Sequence, residues 1–404
     1  MIFVLAALEI EPSSSEAPLP KPIIAHVLHR LYLAGAEVLA AALARQMRDR
    51  FDFHFLCLDE VGPLGEQLAS EGFNVVDLQR KPGVDLSVAR RIRALTKEHG
   101  IELLHAHQYT PFFYASASRR IWGSLTSSPR LLFTEHGRHY PDIRKTKRVF
   151  ANKLLLRKRD QVTAVGNFVK QALVNNEGIA QQRIEVVYNG IDTDRFQVDT
   201  TGQVRAAVRA ELSIAADRGV VLQVARFHPV KDHATAVRAF AAAAGTFNEA
   251  NKPLLLLVGD GDEREKIESL IAQLQVSSLV RFLGVRSDIP RLMSAADVFM
   301  LSSLSEGISV TLLEAMGAAI PIAATNVGGN GEVVAHGESG LLSPRSEHAA
   351  LGVSLATLLR DPLMRQRMGE AGRARLLATF TQQQMHKRYA EIYEQITRHR
   401  AALD

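Results

Sequence analysis

The sequence predicts an α/β protein made of two doubly wound domains with a cleft between them. Apolar runs of strand length alternate with segments of helical periodicity along most of the chain, which is typical of parallel sheets with helices on both faces. The alternation occurs in two stretches of similar size, separated by a polar, glycine-containing segment at 199–202. A chain of 404 residues that is 47% hydrophobic is long enough to bury two such cores.

Composition narrows the partners and the compartment without identifying a substrate. The formal net charge of +5 favours anionic partners such as phosphates, nucleic acid or an acidic membrane face. No nucleic-acid recognition motif accompanies this charge, so nucleic acid is not an expected partner. Cys57 is the only cysteine, which excludes an intramolecular disulfide and favours a reducing, cytoplasmic compartment. The sequence has no cysteine and histidine cluster of zinc-site spacing, so no metal is predicted.

Residues 1–22 are predicted to be a flexible leader, because serine and proline dominate their second half. The apolar run at 1–8 is too short to cross a bilayer and lacks the basic start of a signal peptide. The two alternating stretches predict a first domain at 23–198 and a second at 203–380.

The individual elements follow from the apolar pattern. Short continuous apolar runs predict buried strands, and apolar residues at helical spacing predict the helices between them. The predicted strands are 22–28, 53–58, 74–78, 101–105, 130–136, 162–165, 185–192, 220–225, 254–258, 280–285, 296–301 and 319–324. The predicted helices are 38–50, 65–71, 85–99, 203–212, 263–274, one that begins after Ser309, 349–359 and 383–396.

The stretch at 302–317 changes from a loop to a helix within a few residues. Gly307 permits a turn that brings backbone close to a ligand, and Ser309 is a predicted N-cap. Glu306 lies in the loop and Glu314 lies just over one turn into the helix. The free N–H groups of the helix start therefore lie between two carboxylates.

This arrangement suits a ligand with phosphates at its centre and hydroxyl groups at both ends. The N–H groups of a helix start attract phosphate, whereas ionised carboxylates accept hydrogen bonds from hydroxyl groups. A nucleotide-diphosphate sugar has both features. Two solvated glutamates beside a loop explain the same residues about as well, so this stretch alone leaves both interpretations open.

Basic and histidine side chains follow other predicted strands. Arg226 and Lys231 bracket a short turn after a buried strand, and such a pair can clamp a diphosphate. His105 and His107 end one strand, and His136 ends the next. Ligands bind at the carboxyl ends of strands in doubly wound folds. Three histidines there favour a site, although any one of them alone would be an ordinary surface histidine.

Together these motifs resemble those of retaining glycosyltransferase family 4, the glycosyl transferases group 1 of GT-B fold. Glu306 and Glu314 are similar to the family's Glu-x7-Glu signature. Arg226 and Lys231 are similar to its Gly-Arg-x4-Lys-Gly motif, although neither flanking glycine is kept. The resemblance covers nearly the whole chain. Further matches are Gly35, the Asn-Gly-Ile-Asp segment at 189–192, the glycine turn at 259–261, the strand exit near Val285 and Arg286, and the Gly-Gly-x-x-Glu segment at 328–332.

The resemblance implies a GT-B fold of two Rossmann-like domains, with the nucleotide sugar bound by the second domain. Arg226 and Lys231 would neutralise the leaving diphosphate, and Glu306 and Glu314 would hold hydroxyl groups of the sugar and the ribose. His136 would lie beside the transferred sugar. The expected catalytic residues are His136, Arg226, Lys231 and Glu306. The remaining expected donor-binding positions are Gly35, Gly259, Val285, Gly307, Ile308, Ser309 and Thr311, and the expected acceptor side comprises Glu37, His107 and His136.

The implied reaction is retaining transfer of a sugar to a hydroxyl acceptor, a glycan or lipid-linked glycan of cell-surface polysaccharide or glycolipid synthesis. No metal or other cofactor is expected, since the family generally works without a divalent ion. The final segment, 381–404, is expected to be a helix that packs back on the first domain. A nucleotide-sugar epimerase of the same fold and a non-catalytic nucleotide-sugar-binding subunit remain alternatives. The sequence does not identify the base, the sugar or the acceptor.

Residues 138–160 form a strongly basic segment, with nine lysines and arginines against two aspartates. The favoured interpretation is a solvated basic helix face. The interleaved apolar residues leave a second interpretation open, in which the segment binds an anionic membrane surface and the protein is peripheral on its inner face.

Overall fold

The computed structural model describes residues 20–32, 35–120, 128–137 and 143–401. Within these ranges the chain forms two parallel sheets that helices cover, which confirms the predicted fold class. Most of the predicted leader at 1–22 lies outside the described residues. The predicted domain boundaries near 198 and 203 fall between the two sheets and stay a prediction.

The first sheet has seven strands within the described residues, and each adjacent pair is parallel. They are β1 (Ile23–Arg30), β2 (Asp52–Glu60), β3 (Asn74–Asp77), β4 (Leu103–His107), β5 (Arg130–Glu135), β6 (Gln161–Ala164) and β7 (Ile184–Val186). Their spatial order is β3-β2-β1-β4-β5-β6-β7. The helices between them are α1 (Gly35–Met47), α2 (Pro63–Ser70), α3 (Leu86–Glu98), α4 (Tyr109–Arg120), α5 (Thr146–Leu155) and α6 (Asn167–Glu177).

The second sheet has six parallel strands in the described part of the chain. They are β8 (Val220–Val224), β9 (Leu254–Val258), β10 (Val280–Gly284), β11 (Val298–Leu301), β12 (Ile322–Thr325) and β13 (Gly340–Ser343), in the spatial order β10-β9-β8-β11-β12-β13. The helices that accompany it are α7 (Gln203–Glu211), α8 (His233–Ala244), α9 (Arg264–Gln273), α10 (Ile289–Ala295), α11 (Val310–Gly317), α12 (Asn330–Val333), α13 (His348–Arg360) and α14 (Pro362–Thr379). We call these two units the first lobe and the second lobe.

A last helix, α15 (Gln382–Ala401), follows the second lobe and packs on the first sheet. Tyr389 and Tyr393 are fully buried there, in one cluster with side chains of β1 and β2. The ring of Tyr393 lies 5.6 Å from that of Phe51 and 6.2 Å from that of Phe53. None of the described helices combines the length and the apolar character needed to cross a bilayer.

Two predicted strands differ from the structure by three residues or more at one end. The elements that were not predicted are strand β13 and helices α4, α6, α8, α10, α12 and α14. The strand predicted at 319–324 begins only at Ile322, because Ala319 has a left-handed backbone (φ 55°). The strand predicted at 185–192 ends at Val186. Helix α14 was missed because small residues form part of its buried face. Gly369 approaches the Ala319 carbonyl so closely that a Cβ would overlap it, so no large apolar side chain marks that turn.

The order of strands fixes where a ligand can bind. In both sheets the direction of winding reverses between two adjacent strands, β1 and β4 in the first and β8 and β11 in the second. A crevice opens at the carboxyl ends of strands at such a reversal. The predicted basic pair follows β8, the loop of Glu306 follows β11, and the histidines lie in or just after β4 and β5.

Candidate active site

The loops after β8 and β11 are bonded to one another, which holds the predicted basic and acidic residues together. The Ser302 hydroxyl donates to the carbonyl oxygens of Lys231 and Asp232, each at 2.9 Å. The Leu304 N–H donates to the Val230 carbonyl at 2.8 Å. Ser302 is fully buried, so these bonds are shielded from water and the two loops form one rigid floor.

Lys231 and Glu306 meet on this floor as an ion pair. Lys231 Nζ lies 2.5 Å from Glu306 Oε1, and the Ser303 hydroxyl donates to the same oxygen at 2.6 Å. The exposed fractions of the two charged side chains are 25% and 11%. No described residue donates to Glu306 Oε2, and the ammonium keeps further N–H donors, so both groups can bind a ligand without separating.

A pair of glycines supports the backbone beside Glu306. Gly328 and Gly329 approach the carbonyl oxygens of Glu306 and Gly307 so closely that a Cβ at either glycine would overlap them. Gly328 also has a positive φ of 54°. Larger residues are excluded on both counts, and the turn therefore fixes the position from which the Glu306 side chain extends.

The two lobes touch at Gly307. A Cβ there would overlap the His136 carbonyl oxygen, and Gly137 Cα of the first lobe lies 3.2 Å from the same point. The sequence predicted that Gly307 allows backbone to approach a ligand. In this structure its small size admits the backbone of the opposite lobe, which brings His136 next to the loop of Glu306. The approach of this backbone to a ligand stays a prediction.

The predicted histidines occupy different depths. His107 is buried, and both of its ring nitrogens are used within the chain, by His26 and His136, at 2.8 Å each. His105 is also buried and bonds Tyr393 and Thr134. His136 is half-buried, with its Nδ1 atom unpartnered among the described residues. Of the predicted histidines, His136 is therefore the one that is not fully buried.

Glu314 is the second predicted carboxylate, on the first turns of α11. Burial raises its pKa from the ordinary 4.5 to about 7, and the nearby Arg195 guanidinium opposes that shift. Glu314 is half-buried, and when ionised its carboxylate can accept hydrogen bonds from the hydroxyl groups of a bound polyol. Ser309 occupies the predicted N-cap position, but its hydroxyl makes no capping bond and instead lies 3.2 Å from the Thr311 hydroxyl.

The structure also locates the other predicted site residues. Arg226 is exposed, and its side chain makes no hydrogen bond or ion pair with a described residue, so the guanidinium is available to an anion. Gly35 begins α1 with open space around its missing Cβ, whereas a Cβ on Gly259 would overlap the Ala225 carbonyl. Val285 is 81% exposed. Two more residues were predicted to line the site. Ile308 is buried, and Glu37 is half-buried, with a pKa that burial raises.

Comparison with known proteins agrees with this geometry. The family model described as Glycosyltransferase Family 4 matches residues 33–195, and that described as Glycosyl transferases group 1 matches residues 204–375. A putative glycosyltransferase of Bacillus subtilis, EpsF, is 30% identical over 316 residues, which cover 74% of this chain and 77% of the relative. The chain belongs to glycosyltransferase family 4. It is therefore a glycosyltransferase.

Further relatives of this glycosyltransferase match over most of their length. N-acetyl-alpha-D-glucosaminyl L-malate synthase of Bacillus anthracis is 26% identical over 380 residues, 91% of this chain and 95% of the relative. The crystal structure of Anabaena Alr3699/HepE in complex with UDP-glucose superposes with a TM-score of 0.78 at 22% identity, covering 92% of this chain and 99% of the other. At that identity the likeness establishes the GT-B fold.

One carboxylate of the glycosyltransferase has a role that the sequence did not reveal. Glu332, on α12 of the second lobe, accepts hydrogen bonds from the N–H groups of Asn167 and Phe168 at 2.7 Å each. It also accepts from the Tyr188 hydroxyl at 3.0 Å. Asn167 and Phe168 open helix α6 of the first lobe, so a negative charge from one lobe caps a helix of the other. The sequence match at Gly-Gly-x-x-Glu located Glu332, but nothing local indicated its partner.

This cross-lobe cap predicts how the lobes respond to its loss. Replacing Glu332 with alanine removes three hydrogen bonds to a charged group, which we expect to favour lobe opening by about 2 kcal/mol. Small-angle scattering of the ligand-free variant should then show a larger radius of gyration. Tyr188→Phe removes one of the three bonds and should have a smaller effect, with exposed Glu338→Gln as the unaffected control. A Glu332→Ala protein as compact as wild type would contradict this role.

The raised pKa of Glu314 predicts a pH-dependent stability. The folded protein binds this proton up to about pH 7, whereas the unfolded chain releases it near pH 4.5, so its contribution is present below pH 4.5 and is lost as pH rises through 7. Glu314→Gln mimics the protonated group. We expect the Tm of this variant to match that of wild type at pH 4.5 and to exceed it above pH 7. The corresponding gain in the free energy of unfolding is at most about 3 kcal/mol.

Thermal unfolding of the two proteins from pH 4.5 to 8.5 measures this difference. Glu338→Gln provides the matched control, because Glu338 is an exposed glutamate of the same lobe. A Tm difference for Glu314→Gln that stays constant across this range would refute the assigned pKa.

Proposed function

We propose that this glycosyltransferase moves a sugar from a nucleoside-diphosphate sugar to a hydroxyl acceptor with retention of the anomeric configuration. In this proposal Lys231 and Arg226 neutralise the departing diphosphate and the N–H groups at the start of α11 add to that charge stabilisation. Glu306 orients hydroxyl groups of the sugar, and Glu314 those of the ribose. The leaving phosphate takes the acceptor proton, so that positioning replaces a protein base.

The observation that carries the proposal is the Lys231–Glu306 pair and its place in the fold. The pair lies at the winding reversal of the second sheet and is only partly exposed, at 25% and 11%. A cation fixed beside a carboxylate with one unused oxygen matches the phosphates and the hydroxyl groups of a nucleotide sugar. The backbone of His136 closes over the same loop from the first lobe.

A two-step experiment tests the proposal. Thermal shift with a panel of uridine, guanosine and adenosine diphosphate sugars identifies the donor, because a ligand that binds the folded state raises Tm. The donor found is then incubated with glycan, lipid-linked and small hydroxy-acid acceptors in the presence of EDTA. NMR of the product should show a glycoside with the anomeric configuration of the donor. An inverted product, or activity abolished by EDTA, would overturn the retaining or the metal-free part of the proposal.

The panel covers the substrates that the relatives suggest. UDP-glucose is included because the Anabaena structure contains it, and L-malate because the Bacillus anthracis synthase is named for it. Conversion of the nucleotide sugar without any acceptor would favour an epimerase. Tight donor binding with no transfer to any acceptor would favour a non-catalytic binding subunit.

The proposed absence of a divalent metal needs this direct test, since Asp-x-Asp spacings do occur in the chain. Asp192 and Asp194 form one of them, and the Asp192 carboxylate accepts a bond from the Asp194 N–H at 3.0 Å. Asp260 and Asp262 form the other, and Asp260 accepts from the Gly261 N–H at 2.9 Å. Both first members thus have local structural roles that do not require an ion.

A lipid-linked acceptor would lie in a membrane, and the exposed surface of helix α5 and of the residues just before it suits contact with a membrane. Ile143, Phe150 and Leu154 are 62%, 69% and 66% exposed, and the last two are one helical turn apart. Exposed Lys147 and Lys153 lie on the same short segment. Apolar side chains flanked by lysines suit the headgroup region of an anionic bilayer, and we propose that this surface docks there.

Not all of the predicted basic segment belongs to this surface. Arg148 is held by Glu177 at 3.1 Å and stacks over Tyr109 at 4.1 Å. Arg157 donates to the Ser128 hydroxyl at 2.6 Å. Arg138 lies outside the described residues. The remaining lysines and arginines of the segment are those that can face a membrane.

Vesicle sedimentation checks the docking surface. Phe150→Ser/Leu154→Ser should bind vesicles of phosphatidylglycerol and phosphatidylcholine at least about tenfold more weakly than wild type, because the variant lacks two apolar side chains that would enter the bilayer. Val353→Ser/Leu363→Ser replaces two equally exposed apolar residues of the second lobe and should bind normally. Equal binding of the wild type to neutral and anionic vesicles would remove this surface from consideration.

A further inference from the structure

Three histidine rings form a hydrogen-bonded chain from the middle of the first sheet to the contact between the lobes. His26 Nδ1 lies 2.8 Å from His107 Nε2, and His107 Nδ1 lies 2.8 Å from His136 Nε2. His26 and His107 are at most 1% exposed. The outer nitrogens of the chain, His26 Nε2 and His136 Nδ1, are buried and have no hydrogen-bond partner among the described residues. Nothing in the sequence patterns had drawn attention to His26.

The three rings are neutral at physiological pH. Burial lowers the pKa of His26 to about 3 and that of His136 to about 4, and it holds the pKa of His107 well below the ordinary 6.5. A neutral imidazole has one N–H and one lone pair. Because each contact needs one of each, the chain has only two arrangements: every N–H directed toward His136, or every N–H directed toward His26.

The surroundings of His26 favour the first arrangement. Either arrangement leaves one buried N–H without an acceptor among the described residues, at His26 Nε2 or at His136 Nδ1. His136 is half-buried and adjoins the contact between the lobes, where a bound substrate can supply an oxygen, whereas His26 is fully enclosed. The rings beside it are aromatic, with Phe53 and Phe55 stacked at 5.5 and 5.4 Å. Orphaned buried N–H groups are rarer in proteins than under-satisfied acceptors. His26 Nδ1–H therefore donates to His107, His107 donates to His136, and His136 carries its hydrogen on Nδ1.

We propose that His26, acting through His107, fixes the tautomer of His136 so that His136 Nδ1 donates a hydrogen bond to an oxygen of the bound substrates. His136 would then be the catalytic residue, and His26 and His107 positioning residues behind it. The inference rests on the proposed function to the extent that a substrate oxygen must lie beside His136. The tautomer itself does not depend on which substrate binds.

The same residues do not suit a metal ion. His26, His105 and His107 offer nitrogens within 4.8 Å of one another. Two nitrogens bound to one tetrahedral zinc ion lie about 3.3 Å apart, farther than the 2.8 Å between His26 and His107. Both nitrogens of His105 are already engaged, by Tyr393 at 2.8 Å and Thr134 at 2.7 Å. The cluster is therefore assigned to hydrogen bonding.

Nitrogen-15 NMR of the full-length protein with labelled histidine tests the tautomer directly. Two-bond proton–nitrogen correlations distinguish Nδ1–H from Nε2–H rings, and the His136 signals are assigned by their loss in His136→Gln. The wild type should show His136 as a single Nδ1–H tautomer between pH 6 and 8. An Nε2–H ring, or a protonated ring in this range, would overturn the proposal without any variant of His26.

Variants then test the dependence on His26. His26→Phe keeps an aromatic ring among Phe53 and Phe55 but removes the donor, so His136 should become a mixture of tautomers. His105→Phe is the matched control, because it alters an equally buried ring on the neighbouring strand that is outside the chain. His136 should keep its tautomer in that control, and an unchanged His136 signal in His26→Phe would refute the coupling.

Kinetics provide a second readout. Once a donor is known, His26→Phe should lower kcat of transfer about tenfold and leave the KM of the donor within a factor of two, while His105→Phe changes neither. Equal losses in both variants would indicate a packing effect and overturn the positioning role. If no substrate is found, the proposed function fails, but the NMR result still decides the tautomer.

Discussion

Replacing Lys231 with alanine is expected to lower kcat/KM for sugar transfer by about 100-fold or more while the protein stays folded. The ammonium lies on the rigid floor made by the loops after β8 and β11, and in the proposed reaction the leaving diphosphate gains negative charge there. A preorganised charge at such a point is worth far more than in water, and removing one donor of this type commonly costs a factor of about 100 to 1,000.

Steady-state kinetics and thermal unfolding together measure this effect. Lys231→Arg keeps the charge but replaces a compact ammonium with a planar fork, so we expect partial recovery. Lys266→Ala is the matched control, because Lys266 is an exposed lysine of the same lobe paired with Glu263 at 3.1 Å. Near-normal turnover of a folded Lys231→Ala protein would contradict the role given to this residue.

Replacing Glu306 with glutamine is expected to reduce kcat/KM by a comparable factor, for a different reason. The carboxylate accepts from Lys231 and Ser303 on one oxygen, and in the proposed reaction its other oxygen binds the sugar. Glutamine has nearly the same size, but only its oxygen can accept a hydrogen bond, because the other terminal atom is an NH2 donor. It also leaves Lys231 without its counter-charge, which should favour the binding of a nucleotide diphosphate.

Calorimetry can separate these two consequences. Glu306→Gln should bind the free nucleoside diphosphate at least as tightly as wild type, but lose the additional affinity that the sugar gives to the nucleotide sugar. The double variant Lys231→Ala/Glu306→Ala should be less impaired than the product of the single effects, because the two residues interact directly. An unchanged ratio of nucleotide-sugar to nucleotide affinity in Glu306→Gln would argue against contact with the sugar.

The fold could be predicted because its signals are local. Buried strands such as β9, whose five residues are all buried, are visible as short apolar runs, and their alternation with helices indicates parallel sheets. The motif spacing likewise placed Lys231 and Glu306 after two strands that the structure shows to be adjacent. Their ion pair follows from that adjacency. The roles assigned to the site residues stay predictions until variants are measured.

What the sequence could not predict depends on contacts between distant segments. His26 is one histidine in an apolar strand, and its relation to His107 appears only when β1 and β4 are paired. The partners of Glu332 lie 165 and 164 residues away. Ser309 was placed correctly at the helix start, but its hydroxyl faces Thr311 instead of capping. Local patterns carry no information about such pairings.

The position of α15 has a consequence for how the protein is made. Its tyrosines complete the aromatic core of the first sheet, yet the ribosome synthesises them after the whole second lobe. During translation the first lobe therefore presents an uncovered apolar face until the last helix emerges. A fragment that ends before residue 382 should aggregate or recruit chaperones, and supplying the helix as a separate peptide should restore a compact fold.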